Sequence, residues 1–587
     1  MCGIYASIST RGLQTSSHAL KHFLCNRGPD HTGSAQANFN SSDGTIYFLS
    51  FLSTVLALRG DHITPQPFDG STIVNASTSN PNSILCWNGE AWKIDGELVN
   101  GNDGQVIYDM LVKAVSTAIS ASDATVAVVK TLRSISGPFA FVFWDSFHGA
   151  IYCGRDRLGR RSLLYNVDNT SEDLGESEYI EFASTADPAQ GNWKEIEADG
   201  IYKFSCDKNS FSFSKSGSQD HPLSNTPLPY QRFEWEDSEA VSSASSLGKF
   251  NRTTEGESHI LSLDSPSVMS LRHYLCHSHN VRLAILFSGG LDCTVLARLA
   301  HDLLPPDQEI DLLNVAFENP RVIKAAQTGP RLKKGAQPPP SDKTEMLDNK
   351  VSPYELCPDR ETGRKAHQEL QTVCPRRKWR FVAINVPYTE TTEHRAKIVD
   401  LIHPHNTEMD LSIAFALYFA SRGVGLASID VDAEETLYTT PARVLLSGLG
   451  ADELFGGYTR HATAFNRNGV SALLDELELD VNRLGKRNLG RDDRVISHWG
   501  REARFPYLDE DLVKWAVESP IWDKCGFTSV SKGPEVPDIE PGKKVLRLLA
   551  YDLGMRSVAI EKKRAIQFGA RTAKMEIGRT KGTTLIS

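Results

Sequence analysis

Two kinds of hydrophobic patterning divide the chain. Up to about residue 204, short alternating or wholly apolar runs sit between Gly, Pro, Asn and Asp, as at 45–52, 83–87, 139–144 and 150–153. Runs of this length and punctuation predict strands. One stretch, 105–118, has Val106, Ile107, Met110, Leu111 and Ala114 at helical spacing, and a second helix is expected at 15–24. From about 263 to 587 the pattern alternates: strand at 281–287, helix at 292–304, helix at Glu408–Arg422, strand at 442–446. Such alternation predicts a layered α/β domain. Residues 205–262 are Ser-rich with Pro and acidic residues and read as a linker with one or two short elements. A Lys/Gly/Pro-rich stretch, 321–353, containing Pro338-Pro339-Pro340, reads as a mobile loop inserted in the second domain. No internal repeat is visible.

Composition narrows the classes. A chain of 587 residues holds two or three large units without disulfide staples. Lys+Arg of 63 against Asp+Glu of 73 gives a net charge of −10, which argues against non-specific nucleic-acid binding. No apolar run reaches the roughly 18 residues that span a bilayer, so no membrane partner is expected. The start, Met1-Cys2-Gly3-Ile4, lacks the basic and apolar regions of a signal peptide. The ten cysteines form no Cys-x-x-Cys pair and read as reduced thiols, which predicts a cytoplasmic or nuclear protein. Asn-x-Ser/Thr triplets at Asn40, Asn75, Asn169 and Asn251 then carry little weight.

The first candidate chemistry is at Cys2. Removal of Met1 would leave a thiol beside a free α-amine whose pKa is about 7.7–8.0. That amine can serve as the base that activates the thiol, so one residue supplies both groups. Taken alone, Cys2 also reads as an ordinary buried Cys at a strand start. Five further segments follow in order: Asn26-Arg27-Gly28-Pro29-Asp30, Leu56-Ala57-Leu58-Arg59-Gly60-Asp61, Trp87-Asn88-Gly89-Glu90, Asn102-Asp103-Gly104-Gln105 and Gly154-Arg155-Asp156-Arg157-Leu158-Gly159.

With Met-Cys-Gly-Ile, this ordered set resembles the N-terminal-nucleophile glutaminase domain of class II glutamine amidotransferases. The resemblance implies that Cys2 attacks the side-chain amide of glutamine. Asn88 and the Gly89 N–H match the oxyanion hole, and Arg59 matches the grip on the α-carboxylate. Asp103 matches the partner of the α-ammonium. Gly60, Asp61, His62, Ile63 and Glu90 complete the implied glutamine contacts, and Arg27 to Asp30 fall in the loop implied to close over the substrate.

A second candidate site begins where the strand at 281–287 runs into Ser288-Gly289-Gly290-Leu291-Asp292-Cys293-Thr294, followed by a helix. Glycines let backbone N–H groups approach an anion, and the helix N-terminus favours negative charge. No Gly-Lys-Ser/Thr follows, so this is not a Walker A loop. A Rossmann dinucleotide site is excluded because no Gly-x-Gly-x-x-Gly follows a strand. His403-Pro404-His405 has no further ligands at usable spacing and reads as loop.

The loop is similar to that of ATP pyrophosphatases. Farther on, Leu445-Leu446-Ser447-Gly448-Leu449-Gly450-Ala451-Asp452-Glu453-Leu454-Phe455-Gly456-Gly457-Tyr458 and Glu502-Ala503-Arg504-Phe505-Pro506-Tyr507-Leu508-Asp509 resemble the asparagine synthetase family. The order of the two domains is the same. The implied fold is an N-terminal-nucleophile glutaminase sandwich followed by a doubly wound α/β domain of the adenine nucleotide α-hydrolase kind. Asp292 and Asp452 match the carboxylates that hold magnesium on pyrophosphate. Phe287, Ser288, Gly289, Gly290, Cys293, Phe317, Ser447 and Gly448 match the ATP contacts.

Within the family the nearer resemblance is to the asparagine synthetase domain-containing group. It shows in Leu449, in Tyr458-Thr459-Arg460-His461, in residues 406–414 and in Lys563-Arg564-Ala565-Ile566-Gln567-Phe568-Gly569. Three positions depart from authentic asparagine synthetases: Leu449 replaces a Glu beside the acyl-adenylate, Ala565 replaces a Lys, and Cys293 replaces a Ser, with Thr294 next to it. The implied activity is glutamine-dependent, ATP-consuming amide synthesis with aspartate or another carboxylate as acceptor. A regulatory, non-catalytic protein on the same fold is the alternative.

Overall fold

The computed structural model describes residues 2–586 except 61, 71–81, 168–178, 207–227, 237–246, 255–260, 276–281, 329–351, 429–433, 528–538 and 576–580, and omits the side chains of 325–328. Most of the segment read as linker, and most of the 321–353 insert, therefore lie outside the described residues.

Strands in the first part build two large antiparallel sheets and a small one of Glu97–Leu98, Lys93–Ile94 and Ile135–Ser136. The first has the order Lys194–Glu195, Leu164–Val167, Tyr179–Ala183, Gly3–Ser9, Ile46–Val55, His31–Asn40. The second runs Tyr230–Glu234, Gly200–Ser205, Ala150–Arg155, Phe139–Asp145, Ile84–Gly89. Period-2 alternation gives each strand two faces. Ile4, Ala6, Leu49 and Phe51 of the first sheet meet Cys86, Val142, Trp144 and Phe204 of the second in one core. On the outer face of the second sheet, Phe141 and Phe143 pack with Ile107, Leu111, Val128 and Leu132. These last come from helices Asp103–Ser116 and Ala121–Arg133. Helix His18–Arg27 covers the outer face of the first sheet through Leu20 and Leu24. The result is a helix–sheet–sheet–helix stack.

The helix expected at 105–118 starts at Asp103 because the Asn102 side chain accepts from the Gln105 N–H at 3.0 Å and caps it. The strand Tyr230–Glu234 lies within the stretch read as linker and pairs with Gly200–Ser205, Phe233 opposite Ile201.

In the second part a seven-stranded sheet has the order Thr436–Thr439, Val424–Ser428, Trp379–Val386, Ile310–Phe317, Leu283–Leu286, Val444–Leu446, Glu502–Arg504. The five strands from Trp379–Val386 to Glu502–Arg504 are parallel. Ile310–Phe317 is buried throughout, as a strand covered on both faces must be. Chain order turns back between Leu283–Leu286 and Val444–Leu446. The crevice at the carboxyl ends of two such strands is where open α/β sheets take ligands, and both glycine loops leave from there.

Buried ion pairs join the two parts. Arg27 meets Asp493 at 2.8 Å, Arg161 meets Glu502 at 3.4 Å and Arg494 meets Glu195 at 2.8 Å. Removing one partner of such a pair leaves an uncompensated buried charge, at a cost of about 3–5 kcal/mol. Among the described residues no helix is long and apolar enough to cross a membrane.

Candidate active sites in two units

Cys2 sits just before the strand Gly3–Ser9, near the middle of the first sheet, whereas Asn88 and Gly89 end an edge strand of the second. Sheet packing brings them together. The Cys2 N–H donates to Asn88 Oδ1 at 3.0 Å. The Asn88 amide nitrogen is buried and has no hydrogen-bond partner among the described residues. Buried amide donors are rarely left unpaired, so this one is poised for an acceptor. Gly89 could carry no side chain: a Cβ there would lie 2.2 Å from the Pro138 carbonyl oxygen. Burial pushes the Cys2 thiol above its usual range, so a nearby base is needed to form the thiolate. Gln66 Nε2 donates to Cys2 Sγ at 3.7 Å. Met1 lies outside the described residues.

Across the same cleft, Arg59 donates to the carbonyls of Ala91 (3.2 Å) and Val99 (3.0 Å), and its guanidinium lies 3.9 Å from Asp103 Oδ1. Asp103 opens helix Asp103–Ser116 and is buried; Oδ2 accepts from the Trp87 indole (3.1 Å) and the Ala91 N–H (2.8 Å). Burial raises its carboxyl to about 6, with Glu90 adding to the rise and Arg59 opposing it. Glu90 and His62 also line the cleft, as does Glu502, which comes from the second unit. Gly60 has a left-handed φ of 84° beside the cleft, and Ile63 is exposed. Asp61 lies outside the described residues.

The segment Arg27 to Asp30 differs from the closing loop that the resemblance implies. Arg27 ends helix His18–Arg27, is buried, donates to the Cys2 carbonyl at 3.4 Å and is pinned to Asp493. Asp30 pairs with Arg443 at 2.5 Å. Charges on the second unit thus fix both ends of the segment.

At the second site, Gly290 precedes helix Leu291–Leu303 and Asp292 lies in its first turn. Gly448 brings the second loop onto that turn, since a Cβ there would lie 2.8 Å from Asp292 Cβ. The Cys293 thiol donates to the Gly290 carbonyl at 3.3 Å and lies 3.6 Å from Ser288 Oγ. Thr294 is fully buried, its hydroxyl without a hydrogen-bond partner among the described residues, so it does not stand in for Cys293 at the loop surface. Phe287 and Phe317 are buried, their rings packed edge-on against Phe381 and Phe419. What they can offer a nucleotide is backbone and apolar wall.

Two lysines close this site on itself. Lys543 Nζ lies 2.8 and 2.6 Å from the two oxygens of Asp292, and 2.7 Å from Asp452 Oδ1 without hydrogen-bond alignment. Lys563 pairs with Asp452 Oδ2 and stacks over the Tyr458 ring at 4.7 Å. Burial opposes ionisation of Asp452, but Lys543 and Lys563 outweigh it and hold the carboxyl at about 2. Burial lifts the Asp292 carboxyl above its usual range in spite of Lys543. Glu453 is buried and accepts from the Tyr458 hydroxyl at 2.5 Å. Leu449 is half-buried against the core. Ala565 caps the short helix Ile566–Gly569 and carries no charge.

Magnesium fits this donor set. Two carboxylates share one bridging cation, and a hard divalent ion with phosphate oxygens uses one or two such groups. No cluster of three or more His, Cys, Asp or Glu able to hold a metal occurs among the described residues. His403 and His405 instead meet the Trp193 carbonyl (3.0 Å) and Glu195 (3.6 Å) where the two units join.

Sequence reasoning misses Lys543 and the reach of Glu502 and Arg504 into the first unit. The Gly542-Lys543-Lys544 run ahead of an amphipathic helix is the available signal for Lys543. For Arg504 and Glu502 there is none, because their partners are hundreds of residues away in the chain.

Residues 93–184 match the family profile of a glutamine amidotransferase domain, and residues 436–475 and 467–581 match that of asparagine synthase. The chain is thus one that joins an amidotransferase domain to an asparagine-synthase domain. Asparagine synthetase domain-containing protein 1 of Bos taurus is 32% identical over 656 residues, covering 98% of this chain and 96% of that protein. The Homo sapiens protein of the same name is 30% identical, covering 98% and 96%. Asparagine synthetase domain-containing protein YML096W of Saccharomyces cerevisiae is 30% identical, covering 96% and 90%. The chain belongs to the asparagine synthetase domain-containing protein family.

Proposed function

We propose that the protein hydrolyses glutamine at Cys2 and uses ATP to form an amide on a carboxylate, nominally the β-carboxylate of aspartate. The observation that carries the reading is the buried, unpaired Asn88 amide beside the Cys2 thiol, with Arg59 and Asp103 across the cleft. Arg59 takes the α-carboxylate of glutamine; Asp103 and Glu90 take its α-ammonium. The α-amine of a mature Cys2 removes the thiol proton, and sulfur attacks the amide carbon. Charge developing on oxygen is met by Asn88 Nδ2 and the Gly89 N–H, donors of the kind worth about 10²–10³ in rate. The C–N bond breaks, ammonia leaves, and water then cleaves the thioester to glutamate. The first unit reads as an N-terminal-nucleophile sandwich.

In the second unit, read as an ATP-pyrophosphatase fold, the loops Ser288–Asp292 and Ser447–Gly448 take ATP at the strand ends. The acceptor carboxylate attacks the α-phosphorus, pyrophosphate leaves, and ammonia displaces AMP from the acyl carbon. Asp292 and Asp452 would hold magnesium, which neutralises phosphate charge when bound. Lys543 and Lys563, freed from those carboxylates, turn to the pyrophosphate. Internal transfer of uncharged ammonia between the sites belongs to this reading; a largely apolar cavity of about 400 Å³, walled by Trp92, Leu98, Leu296, Leu446 and Phe505, lies between the units.

Leu449 favours a second reading, in which another acceptor, or none, is used. A Leu accepts no proton from ammonia, and Glu453 is held by Tyr458. Losing general-base help costs about 10²–10⁴ in rate. Mass spectrometry of products from purified protein given glutamine, ATP, magnesium and aspartate separates the readings: asparagine with AMP and pyrophosphate supports the first, glutamate and ammonia alone the second. Leu449→Glu should raise asparagine formation, and a folded Leu449→Glu protein that makes neither asparagine nor aspartyl-adenylate removes aspartate as the acceptor.

A further inference from the structure

We infer that Arg504, a residue of the second unit, is a positioning residue for the glutamine cleft and ties that cleft to the nucleotide loop; this rests on the proposed reading of the Cys2 site. Its guanidinium faces one site and its backbone the other. Arg504 Nη2 donates to Glu90 Oε1 at 2.6 Å, and Nε donates to Glu502 Oε1 at 2.8 Å. Both carboxylates are buried and both line the cleft that holds Cys2. The Trp92 indole donates to the other Glu90 oxygen at 3.1 Å. A carboxylate accepts at about four lone-pair positions, so Glu90, aimed by these two donors, still has room for a substrate ammonium.

On its other side the Arg504 carbonyl accepts from the Ser447 N–H at 2.9 Å, in the register that pairs Leu446 with Arg504. Three residues on, the Tyr507 hydroxyl donates to the Asp292 carbonyl at 3.0 Å. The strand Glu502–Arg504 is therefore pinned at the mouth of the nucleotide loops while its side chain sets a wall of the glutamine cleft. Anything that fixes Ser447 and Asp292 also fixes Arg504, and through it Glu90. Binding coupling of this kind is reciprocal, so ATP with magnesium tightens glutamine, and glutamine tightens ATP.

The test is glutamate release against glutamine concentration, with and without saturating ATP and magnesium, in the wild-type chain and in Arg504→Gln and Arg504→Lys. Nucleotide should lower the wild-type KM for glutamine about fivefold. Arg504→Gln should raise that KM about tenfold, the size of a lost charge-assisted hydrogen bond, change kcat less than about twofold, and abolish the nucleotide effect. Arg504→Lys keeps the charge but not the two-pronged grip, so its KM should fall between the two. A role in folding alone would lower the active fraction without this split between KM and kcat. An unchanged KM in Arg504→Gln, a nucleotide effect that survives there, or a wild-type KM indifferent to nucleotide overturns the inference. Should Arg504→Gln not fold, Arg504→Lys with wild-type KM and wild-type nucleotide response overturns it equally. A wild-type protein that binds ATP but releases no glutamate contradicts the underlying reading instead.

Discussion

In the Cys2 cleft, each charged group is held in place by its own anchor: Glu90 by Arg504 at 2.6 Å, Arg59 and Asp103 by backbone groups. Arg59 and Asp103 stay 3.9 Å apart, and the Asn88 amide has nothing to donate to among the described residues. At the nucleotide loops the charges have collapsed on one another: Lys543 spans Asp292 and Asp452, and Lys563 takes the remaining oxygen of Asp452. The first pocket holds its polar groups ready and needs only a ligand of the right shape. On the proposed reading the second exchanges these internal ion pairs for contacts with phosphate and metal before it acts, and Leu449 offers no base beside it. Preorganisation, more than the presence of charged residues, separates the two, because fixed donors and acceptors need no rearrangement when the reaction begins.

Each of four substitutions or titrations breaks or sharpens that contrast. Cys2→Ala should reduce glutamine hydrolysis to the uncatalysed level while ATP still binds; intact-mass analysis should show that the active wild-type chain lacks Met1. Asn88→Ala should lower kcat for glutamine hydrolysis by about 10²–10³ with little change in KM, measured by glutamate release. Asp292→Asn should weaken magnesium pyrophosphate about tenfold by calorimetry, since one charged oxygen ligand is lost, and leave Cys2 chemistry intact. The smallest effect is a titration. On the proposed reading Asp103 takes the substrate ammonium, which it can do only when ionised, and burial raises its carboxyl to about 6. Apparent affinity for glutamine, read as 1/KM, should therefore be flat above pH 7, fall to about half at pH 6 and to about a tenth at pH 5, apart from the fall in kcat/KM below about pH 8 that protonation of the Cys2 α-amine brings. Asp103→Asn should lower the plateau and remove the acid limb.

Much of this architecture is legible in the sequence. Short, almost wholly apolar runs between turn residues mark the strands at 83–87 and 139–144, and the capped helix Glu408–Arg422 is found at its own ends. Cys2, Arg59, Asn88 and Asp103 stand out because the ordered set of short segments that carries them resembles a glutaminase domain, and the fold brings them to one cleft. Helix Ala121–Arg133 escapes the sequence reading, although Val128 and Leu132 give it a clear apolar face against the second sheet. The greater loss is long-range pairing. Lys543 reaches back 251 residues to Asp292, and Arg504 reaches 414 residues to Glu90. Arg27, which the resemblance puts in a loop closing over the substrate, is a buried cation of the contact between the two units. Local pattern says that a charge exists; only the fold says which opposite charge it meets.

Labelled glutamine tests the contrast between the pockets most directly. With ¹⁵N in the side-chain amide, and ATP, magnesium and aspartate present, purified wild-type protein should release most of the label as free ammonium and pass only a small share into asparagine. That follows from a preorganised glutamine cleft beside a synthetase pocket that lacks a base at Leu449. Glutamine whose amide nitrogen stays in place, or one labelled asparagine formed for every glutamine consumed, would contradict the account.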